Sequence, residues 1–291
     1  MWVLASDTNL RVGRLAAVSV TVFEVNSAVE RLWPLTGTAE WDAPGLLSGD
    51  PAAVVTRVHL AVDAVAATVA EAISVGADLL LVHHPLLMRG VTSVAEDRPK
   101  GSLLAQLIRA NCALLAAHTN ADIVATGTSA VFANALGLSS QRPLVAVASN
   151  DEALGFGRSG TLPKPVTLGR LARQIGELLP ATAGGIRVSG EYDALISTVS
   201  LCGGAGDSLL ANPDVLASDV YITSDLRHHP ASEFREAARL TQGPALIDVS
   251  HWASEWLWLS TAAAELREAL PQLTITVSDL RTDPWDFVVT Q

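Results

Sequence analysis

The amino-acid sequence predicts an α/β fold made of two similar lobes that arose by internal duplication. Short apolar runs that do not alternate with polar residues are typical of strands buried on both faces. Stretches with helical periodicity separate these runs, and this is the pattern of strand–helix–strand units. The same order of segments occurs twice along the 291 residues, which indicates two copies of one unit.

The first repeated segment of each lobe is a predicted helix. Residues 20–34 begin with Val-Thr and end at Pro34, and residues 166–180 have the same length and the same Val-Thr start. Thr21 is placed to cap the first helix, and Pro34 to end it. The predicted organisation is an N-terminal extension over 1–19, a first lobe over 20–140, a connection over 141–165 and a second lobe over 166–291.

Strands and helices then alternate in both lobes. In the first lobe, strands are predicted at 54–62, 79–82 and 113–117, with helices at 64–75 and 102–111. In the second lobe, strands are predicted at 186–189, 196–202, 220–223 and 246–249, with helices at 232–240 and 252–269. The prolines and glycines of 141–165 favour an irregular connection between the lobes.

Composition excludes several classes of protein. The formal charge of −11, from 19 basic and 30 acidic residues, argues against a nucleic-acid partner. Cys112 and Cys202 lie too far apart for a zinc-type pair, and two cysteines make no disulfide framework, so we expect a cytoplasmic protein. A membrane-spanning helix needs about 20 mostly apolar residues, and no such segment is present, so we expect no membrane partner. Residues 11–23 only loosely imitate a signal peptide.

Histidines are concentrated where ligands bind in α/β proteins. Six of the seven histidines follow the carboxyl end of a predicted strand, and that edge of an open sheet is where ligands bind. The six are His83, His84, His118, His228, His229 and His251. His59 is interpreted instead as a solvated or hydrogen-bonded loop residue. Since neutral imidazole is the commonest metal-ligand side chain, the pattern indicates a metal site.

The spacing of these histidines and nearby carboxylates favours more than one metal ion. Pro85 helps to end the strand, so that His83 and His84 can serve one site. His251 and Glu255 lie on one face if a helix begins at Ser250. His118 and Asp122 have the same spacing. Five or six such ligands exceed one tetrahedral shell, and two divalent ions among Zn, Fe, Mn, Ni and Co would use them naturally.

The motifs around these residues resemble the NIF3-like family, also called the GTP cyclohydrolase I type 2 homologues. The resemblance is carried by the motifs at 78–86, 118–122 and 251–255, together with the Trp41-Asp42 and Asp219–His229 segments. It implies two α/β lobes with a dinuclear metal centre in the cleft between them, and a homo-oligomer that is commonly a hexamer. The implied ligands are His83, His84, Asp122, His251 and Glu255, with Glu255 as the bridge.

The chain departs from the family's pattern in two places. Ser224 stands where the family usually has glycine before the aspartate. The residues up to about Ala17 have no counterpart in the family. Longer members carry an inserted domain between the halves, and the gap from Asp122 to His251 is too short to hold one.

Two further motifs keep alternative interpretations. Residues 203–206, Gly-Gly-Ala-Gly, follow a predicted strand, and they form either a cradle of backbone amides for a phosphate or a plain tight turn. Trp252, Trp256 and Trp258 either pack in the core or an interface, which is the favoured interpretation, or offer a surface on which a planar ligand stacks.

Two functions remain open at this level. In the first, the chain is a metal-dependent hydrolase of a small, anionic, nucleotide-like substrate, which the GTP cyclohydrolase name also suggests. Proton transfer or substrate contact then falls to His118, Asp225, His228 and His229. In the second, the protein binds metal for regulation, storage or delivery and catalyses nothing.

Overall fold

The computed structural model describes residues 19–148 and 153–290, and it shows the predicted mixture of helices and strands. The extension predicted at 1–19 lies almost wholly outside the described residues. The helices are α1 (Val22–Leu32), α2 (Ala66–Ser74), α3 (Pro99–Arg109), α4 (Thr119–Asp122), α5 (Thr128–Ala135), α6 (Leu168–Leu178), α7 (Pro213–Leu216), α8 (His228–Thr241) and α9 (His251–Ala269). A bilayer crossing would need a longer apolar helix than any formed by residues 19–148 and 153–290.

The strands belong to two main sheets and two short pairs. They are β1 (Val20–Thr21), β2 (Gly45–Ser48), β3 (Val54–Val55), β4 (Arg57–Ala61), β5 (Leu79–Val82), β6 (Ala113–Ala116), β7 (Ser139–Arg142), β8 (Val145–Ala146), β9 (Gly155–Phe156), β10 (Arg158–Thr167), β11 (Arg187–Ser189), β12 (Leu195–Ala205), β13 (Val220–Ser224), β14 (Ala245–Val249) and β15 (Thr274–Val277). The first sheet has the order β15-β4-β5-β6-β2, and the second has the order β11-β14-β13-β12-β10-β7.

Three parallel strands form the centre of each main sheet. In the first sheet these are β4, β5 and β6, and antiparallel β2 lies beside β6. In the second they are β12, β13 and β14, and antiparallel β11 lies beside β14.

One carboxylate contact recurs in the two sheets. Asp78 accepts the backbone N–H groups of Thr56 and Arg57, and Asp219 accepts those of Ser197 and Thr198.

The segment 141–165, predicted as an irregular connection, contributes strands to the second sheet. β10 pairs antiparallel with β12, but the register shifts between Thr161 and Val166. Pro163 and Pro165 fall within that shift, where no regular ladder needs the N–H group that proline lacks. The prolines therefore mark an irregularity inside a strand, rather than the absence of a strand.

The paired histidines do not occupy equivalent positions in the two sheets, although the sequence repeat aligned them. His83 and His84 directly follow β5. Three residues separate the end of β13 from His228 and His229, which open α8. The residues that directly follow Thr223, as His83 and His84 follow Val82, are Ser224 and Asp225.

Helix α9 packs against both main sheets and links them into one core. It contacts β12 and β13 of the second sheet and β4 and β15 of the first. Trp252 and Trp258 are buried, which agrees with the favoured interpretation, and the Trp258 ring meets that of Trp33 edge to face at 5.0 Å. His59 is also buried, but in the middle of β4 rather than in a loop, and its ring nitrogens contact Thr276 and Glu71.

Candidate metal centre

The predicted ligands come from the carboxyl ends of two strands and from the first turns of two helices. His83 and His84 follow β5, and His118 follows β6 and begins α4, which ends at Asp122. His251 is the first residue of α9, and Glu255 lies one turn later. Ser250 caps this helix by accepting the N–H of Ala253, as its sequence position predicts. Residues of both main sheets or their following helices therefore meet at one place.

Four histidines at this place direct the same ring nitrogen outward. The Nδ1 of His83 donates to Ala117 O at 2.9 Å, and the Nδ1 of His84 donates to Asp63 at 2.7 Å. The Nδ1 of His118 donates to Asp42 and that of His251 donates to Asp225, both at 2.8 Å. Because the partners are carbonyl or carboxylate oxygens, each Nδ1 must carry a proton. In the neutral ring the opposite nitrogen, Nε2, then has a free lone pair, and this arrangement is typical of metal-ligating histidines.

Three of these Nε2 atoms, those of His83, His84 and His251, converge on the buried carboxylate of Glu255. Its Oε1 lies 3.0 Å from His251 Nε2 and 3.6 Å from His83 Nε2, and its Oε2 lies 2.9 Å from His84 Nε2. The Nε2 atoms of His84 and His251 are only 3.2 Å apart. Two lone pairs so close need a cation or a proton between them. His83 Nε2 is buried without a hydrogen-bond partner, as expected of an atom whose partner is a metal ion.

Two overlapping groups of side chains could each hold a metal ion. One comprises His83, His84 and His118, and the other comprises His84, His251 and Glu255. Within each group the potential ligand atoms lie within 4.8 Å of one another. Asp122 lies beside the first group, with Oδ1 3.6 Å from His83 Nε2. The structure therefore brings together all five predicted ligands and His118, and the donor set fits a divalent transition metal.

The charges of this centre draw protons onto its imidazoles. Burial lowers the pKa of His84, but the Glu255 charge and the bond to Asp63 outweigh burial and raise this pKa to about 10. Burial likewise lowers the pKa of His251, while Glu255 and Asp225 raise it to about 11. Burial raises the pKa of Glu255, but the surrounding imidazoles outweigh it and hold this pKa well below its usual value. The buried carboxylate of Glu255 is thus stabilised by nearby positive charge, which either protons on the imidazoles or a metal ion can supply.

Gly204 lets the backbone of β12 approach the carboxylate of Glu255. A Cβ atom at this position would lie 2.3 Å from Glu255 Oε1 and 3.3 Å from His251 Nε2. The residue has a φ of +72°, within a register shift of the β12–β13 pair. Glycine is therefore required here both by space and by backbone conformation.

The glycine segment 203–206 does not offer a free phosphate cradle at its first two amides. The N–H of Gly203 donates to Ser129 Oγ at 3.1 Å, and that of Gly204 donates to Ser254 Oγ at 2.9 Å. Both donors are thus committed within the protein. Residues 203–205 instead form the irregular end of β12, so the tight turn that the sequence also allowed is not what these residues adopt.

The residues predicted for proton transfer lie in three different settings. His118 is part of the centre. Asp225 accepts from His251 Nδ1 and adopts a left-handed backbone with a φ of 58°, so it orients the ring of His251. His228 and His229 are exposed, contact each other, and among the described residues show no contact with the centre. His228 instead lines a separate cleft with Arg187 and Arg235.

Three contributors were not identified from the sequence. Asp42 and Asp63 hold the rings of His118 and His84, and Thr128 donates to Asp122. A signal existed for Asp63, which lies just past the carboxyl end of β4 at the same sheet edge. Asp42 lies within a motif that carried the family resemblance, but nothing in the motif indicates its partner.

A cavity of about 500 Å³ opens onto the centre. Four residues of the centre line it, namely His118, Asp122, His251 and Glu255. Its outer wall includes the aromatic rings of Trp41 and Phe156 and the side chains of Asp207 and Ser208. A ligand of small-molecule size can therefore reach the histidine–carboxylate cluster.

The fold and the site together define a class: an α/β protein with a buried histidine–carboxylate cluster, suited to metal, at the carboxyl edge of parallel strands. Within that class the chain belongs to the Duf34/NIF3 (NGG1p interacting factor 3) family, whose sequence profile matches residues 20–284. The family indicated by the sequence motifs is thereby confirmed.

Relatives of known sequence share nearly the whole chain. A Streptomyces coelicolor protein named "GTP cyclohydrolase 1 type 2 homolog" is 45% identical over 267 residues, covering 90% of this chain and 92% of its own length. A Mycobacterium tuberculosis protein of the same name is 33% identical, covering 93% of this chain and 98% of its own. That second alignment spans 378 residues, more than this chain contains, so the relative carries additional residues.

Solved structures show the same fold. A Bacillus cereus protein related to NIF3 superposes with a TM-score of 0.83 at 22% identity, covering 94% of this chain and 100% of its own. A Staphylococcus aureus hypothetical protein also gives a TM-score of 0.83, at 23% identity, covering 93% of this chain and 100% of its own. Identities this low support the similarity of fold alone.

Proposed function

We propose that the chain holds two divalent metal ions and hydrolyses a small, anionic, nucleotide-like substrate. The proposed ligands are His83, His84, Asp122, His251 and Glu255, with Glu255 bridging the two ions. The ions would be drawn from Zn, Fe, Mn, Ni and Co. They would occupy the cleft between two lobes related by duplication, as the repeated parallel trios and the Asp78 and Asp219 contacts support.

One observation carries this proposal: four imidazoles have Nδ1 committed to outer acceptors, and three of them, His83, His84 and His251, direct Nε2 at a shared buried carboxylate. A purely structural cluster has no reason to leave His83 Nε2 buried without a partner, because that costs free energy. Metal ions would supply Lewis-acid polarisation and a water of lowered pKa, which is the chemistry that hydrolysis requires.

The chain's own residues supply positioning and proton transfer. Asp63 and Asp225 hold the rings of His84 and His251 in the orientation needed for ligation. His118, backed by Asp42 and lining the cavity, is the residue best placed to move a proton to or from a bound molecule. The exposed positions of His228 and His229 support, at most, contact with a substrate that extends beyond the cavity.

The direct test reconstitutes metal-free protein with each candidate ion and screens nucleotides and small phosphate esters for hydrolysis. We expect one ion to support slow turnover, and His83→Ala and Asp122→Asn to abolish it. If fully metallated protein hydrolyses nothing above the His83→Ala background, a role in metal regulation, storage or delivery replaces the hydrolase proposal.

Metal content tests the bridge separately from activity. Protein reloaded with metal should approach two equivalents per chain, and Glu255→Gln should reduce occupancy of both sites because a bridge serves both ions. Loss of a single equivalent would make Glu255 a terminal ligand. A limit of one equivalent in the unmodified protein would overturn the dinuclear proposal.

A further inference from the structure

The motif at Trp41 and Asp42 builds a rigid support for an exposed indole. The Asp42 carboxylate is buried and accepts from His118 Nδ1, from the Thr119 backbone N–H at 3.0 Å and from the Ala43 N–H at 2.7 Å. The Thr119 hydroxyl in turn accepts the N–H of Ala39 at 3.1 Å. The loop that carries Trp41 is therefore fastened on both sides of that residue to the segment that carries His118.

Folding buries little of the Trp41 side chain. It is 63% exposed, and its ring meets that of His118 edge to face at 5.8 Å. Since aromatic residues are only 5% of the chain, an exposed indole on a loop that hydrogen bonds hold in place favours a contact with a ligand over packing. The ring also lines the cavity that leads to the centre.

The rest of the cavity indicates what part of a ligand Trp41 would contact. The wall carries the carboxylates of Asp122, Asp207 and Glu255, and the amides of Gly203 and Gly204 are already committed. The carboxylates repel an anionic group, so its attraction must come from the metal ions proposed above and from the imidazoles of His118 and His251 that line the cavity. Affinity beyond that must come from an uncharged part of the ligand, and the indole of Trp41 and the half-buried ring of Phe156 favour a flat one.

We infer that Trp41 is a specificity-determining residue that stacks on a planar heteroaromatic ring of the ligand and so places the ligand's anionic group beside His118 and the metal centre. This inference rests on the proposed function, since it assumes that the cavity admits the substrate. Stacking of a base on an aromatic side chain is sequence-tolerant and favourable because every heteroaromatic ring has a π face.

Calorimetric titration of the metal-loaded protein tests this without measuring turnover. The probes are guanosine monophosphate and adenosine monophosphate, which carry a ring, and ribose 5-phosphate, which does not. We expect Trp41→Leu to weaken binding of both nucleotides by about tenfold or more, and Trp41→Phe to weaken it less. Binding of ribose 5-phosphate should not change. Tyr192→Leu, which removes an exposed aromatic ring that lines neither this cavity nor the one beside His251 and Asp225, is the control.

Metal content, thermal unfolding and light scattering of Trp41→Leu accompany the titrations. Equal weakening for all three probes, no weakening, or no nucleotide binding to the unmodified protein would each overturn the inference. A change in oligomeric state on substitution would also overturn it, because Trp41 would then belong to a subunit contact. If nucleotides bind through Trp41 but are never hydrolysed, the inference stands and the hydrolase proposal fails. If nucleotides are hydrolysed and Trp41→Leu leaves that hydrolysis unchanged, the hydrolase proposal stands and the inference about Trp41 fails.

Discussion

The carboxylate of Asp225 shows how a residue outside a ligand set can control it. Its Oδ2 accepts from His251 Nδ1 at 2.8 Å, which fixes the ring and leaves Nε2 facing Glu255. We predict that Asp225→Ala weakens metal affinity by about 10- to 100-fold, as expected for loss of an outer partner of a ligating histidine. Asp225→Asn should cost less, because asparagine keeps an acceptor oxygen and tolerates the left-handed backbone.

Competition titration with a chromophoric chelator measures this affinity. Asp97→Ala, which removes an exposed carboxylate elsewhere, is the control and should leave affinity unchanged. Equal affinities for Asp225→Ala and the control would show that Asp225 does not orient His251.

The raised pKa values of His84 and His251 predict that metal binding depends on pH. With pKa values raised to about 10 and about 11, both imidazoles are protonated in the metal-free protein at neutral pH. A metal ion must displace these protons, so affinity should rise with pH across about pH 6 to 9, and binding should release protons. Calorimetry in buffers of different ionisation enthalpy measures the release. Affinity that does not change over this range would contradict the protonation assigned to the metal-free centre.

At the scale of the element, the close approach of β12 to α9 is the feature most sensitive to substitution. We predict that Gly204→Ala displaces the Glu255 carboxylate and lowers metal content, because the added Cβ would lie 2.3 Å from Oε1. The left-handed backbone should also lower the free energy of unfolding by about 1–2 kcal/mol.

Gly184→Ala is the matched control for this substitution, since a Cβ there meets nothing within 4 Å. The control should keep its metal content and change the free energy of unfolding by less than about 0.5 kcal/mol. Metal analysis and chemical denaturation of the two variants separate the effects. Full metal content in Gly204→Ala would show that α9 can move away at little cost.

Regular elements were predictable where local pattern and packing agree. β5 has the predicted bounds of Leu79–Val82 because a buried parallel strand is continuously apolar. Thr21 forms the predicted cap, and the Glu24 carboxylate in turn accepts the backbone N–H of Thr21. β10 was missed because its prolines lie in a register shift, which depends on the pairing with β12 rather than on local sequence.

The candidate metal ligands could be predicted from the sequence, whereas Asp42 and Asp63, which hold the rings of His118 and His84, could not. The five proposed ligands and His118 all follow strand ends, and that position alone places them at one edge of the fold. Asp42 lies 76 residues before His118 along the chain, and no periodicity relates them. The pairing of His83 and His84 with His228 and His229 failed because two similar short motifs sat at different distances from their strands.

For the whole molecule, we expect a homo-oligomer, and the family resemblance suggests a hexamer. Large apolar side chains remain exposed in the described part of the chain, including Phe23, Leu240 and Phe287 at 63%, 88% and 79%. Subunit interfaces are the usual way to cover such surface. Multi-angle light scattering should therefore report a mass several times 30.4 kDa at micromolar concentration. A stable species at the mass of one chain would contradict this expectation.

The parallel pairing of β15 with β4 has a consequence for biosynthesis. Ile275 lies opposite Val58, so the first sheet lacks this edge strand until the ribosome has also translated residues 274–277. At about 5–20 residues per second, the delay between the two strands is on the order of ten seconds or more. Thr282 and Asp283, which follow β15, also hydrogen-bond Asp63 and Ser250 beside the centre. The candidate metal centre therefore cannot be complete before residues 274–283 have been synthesised, and the metal ions proposed here would bind after that point.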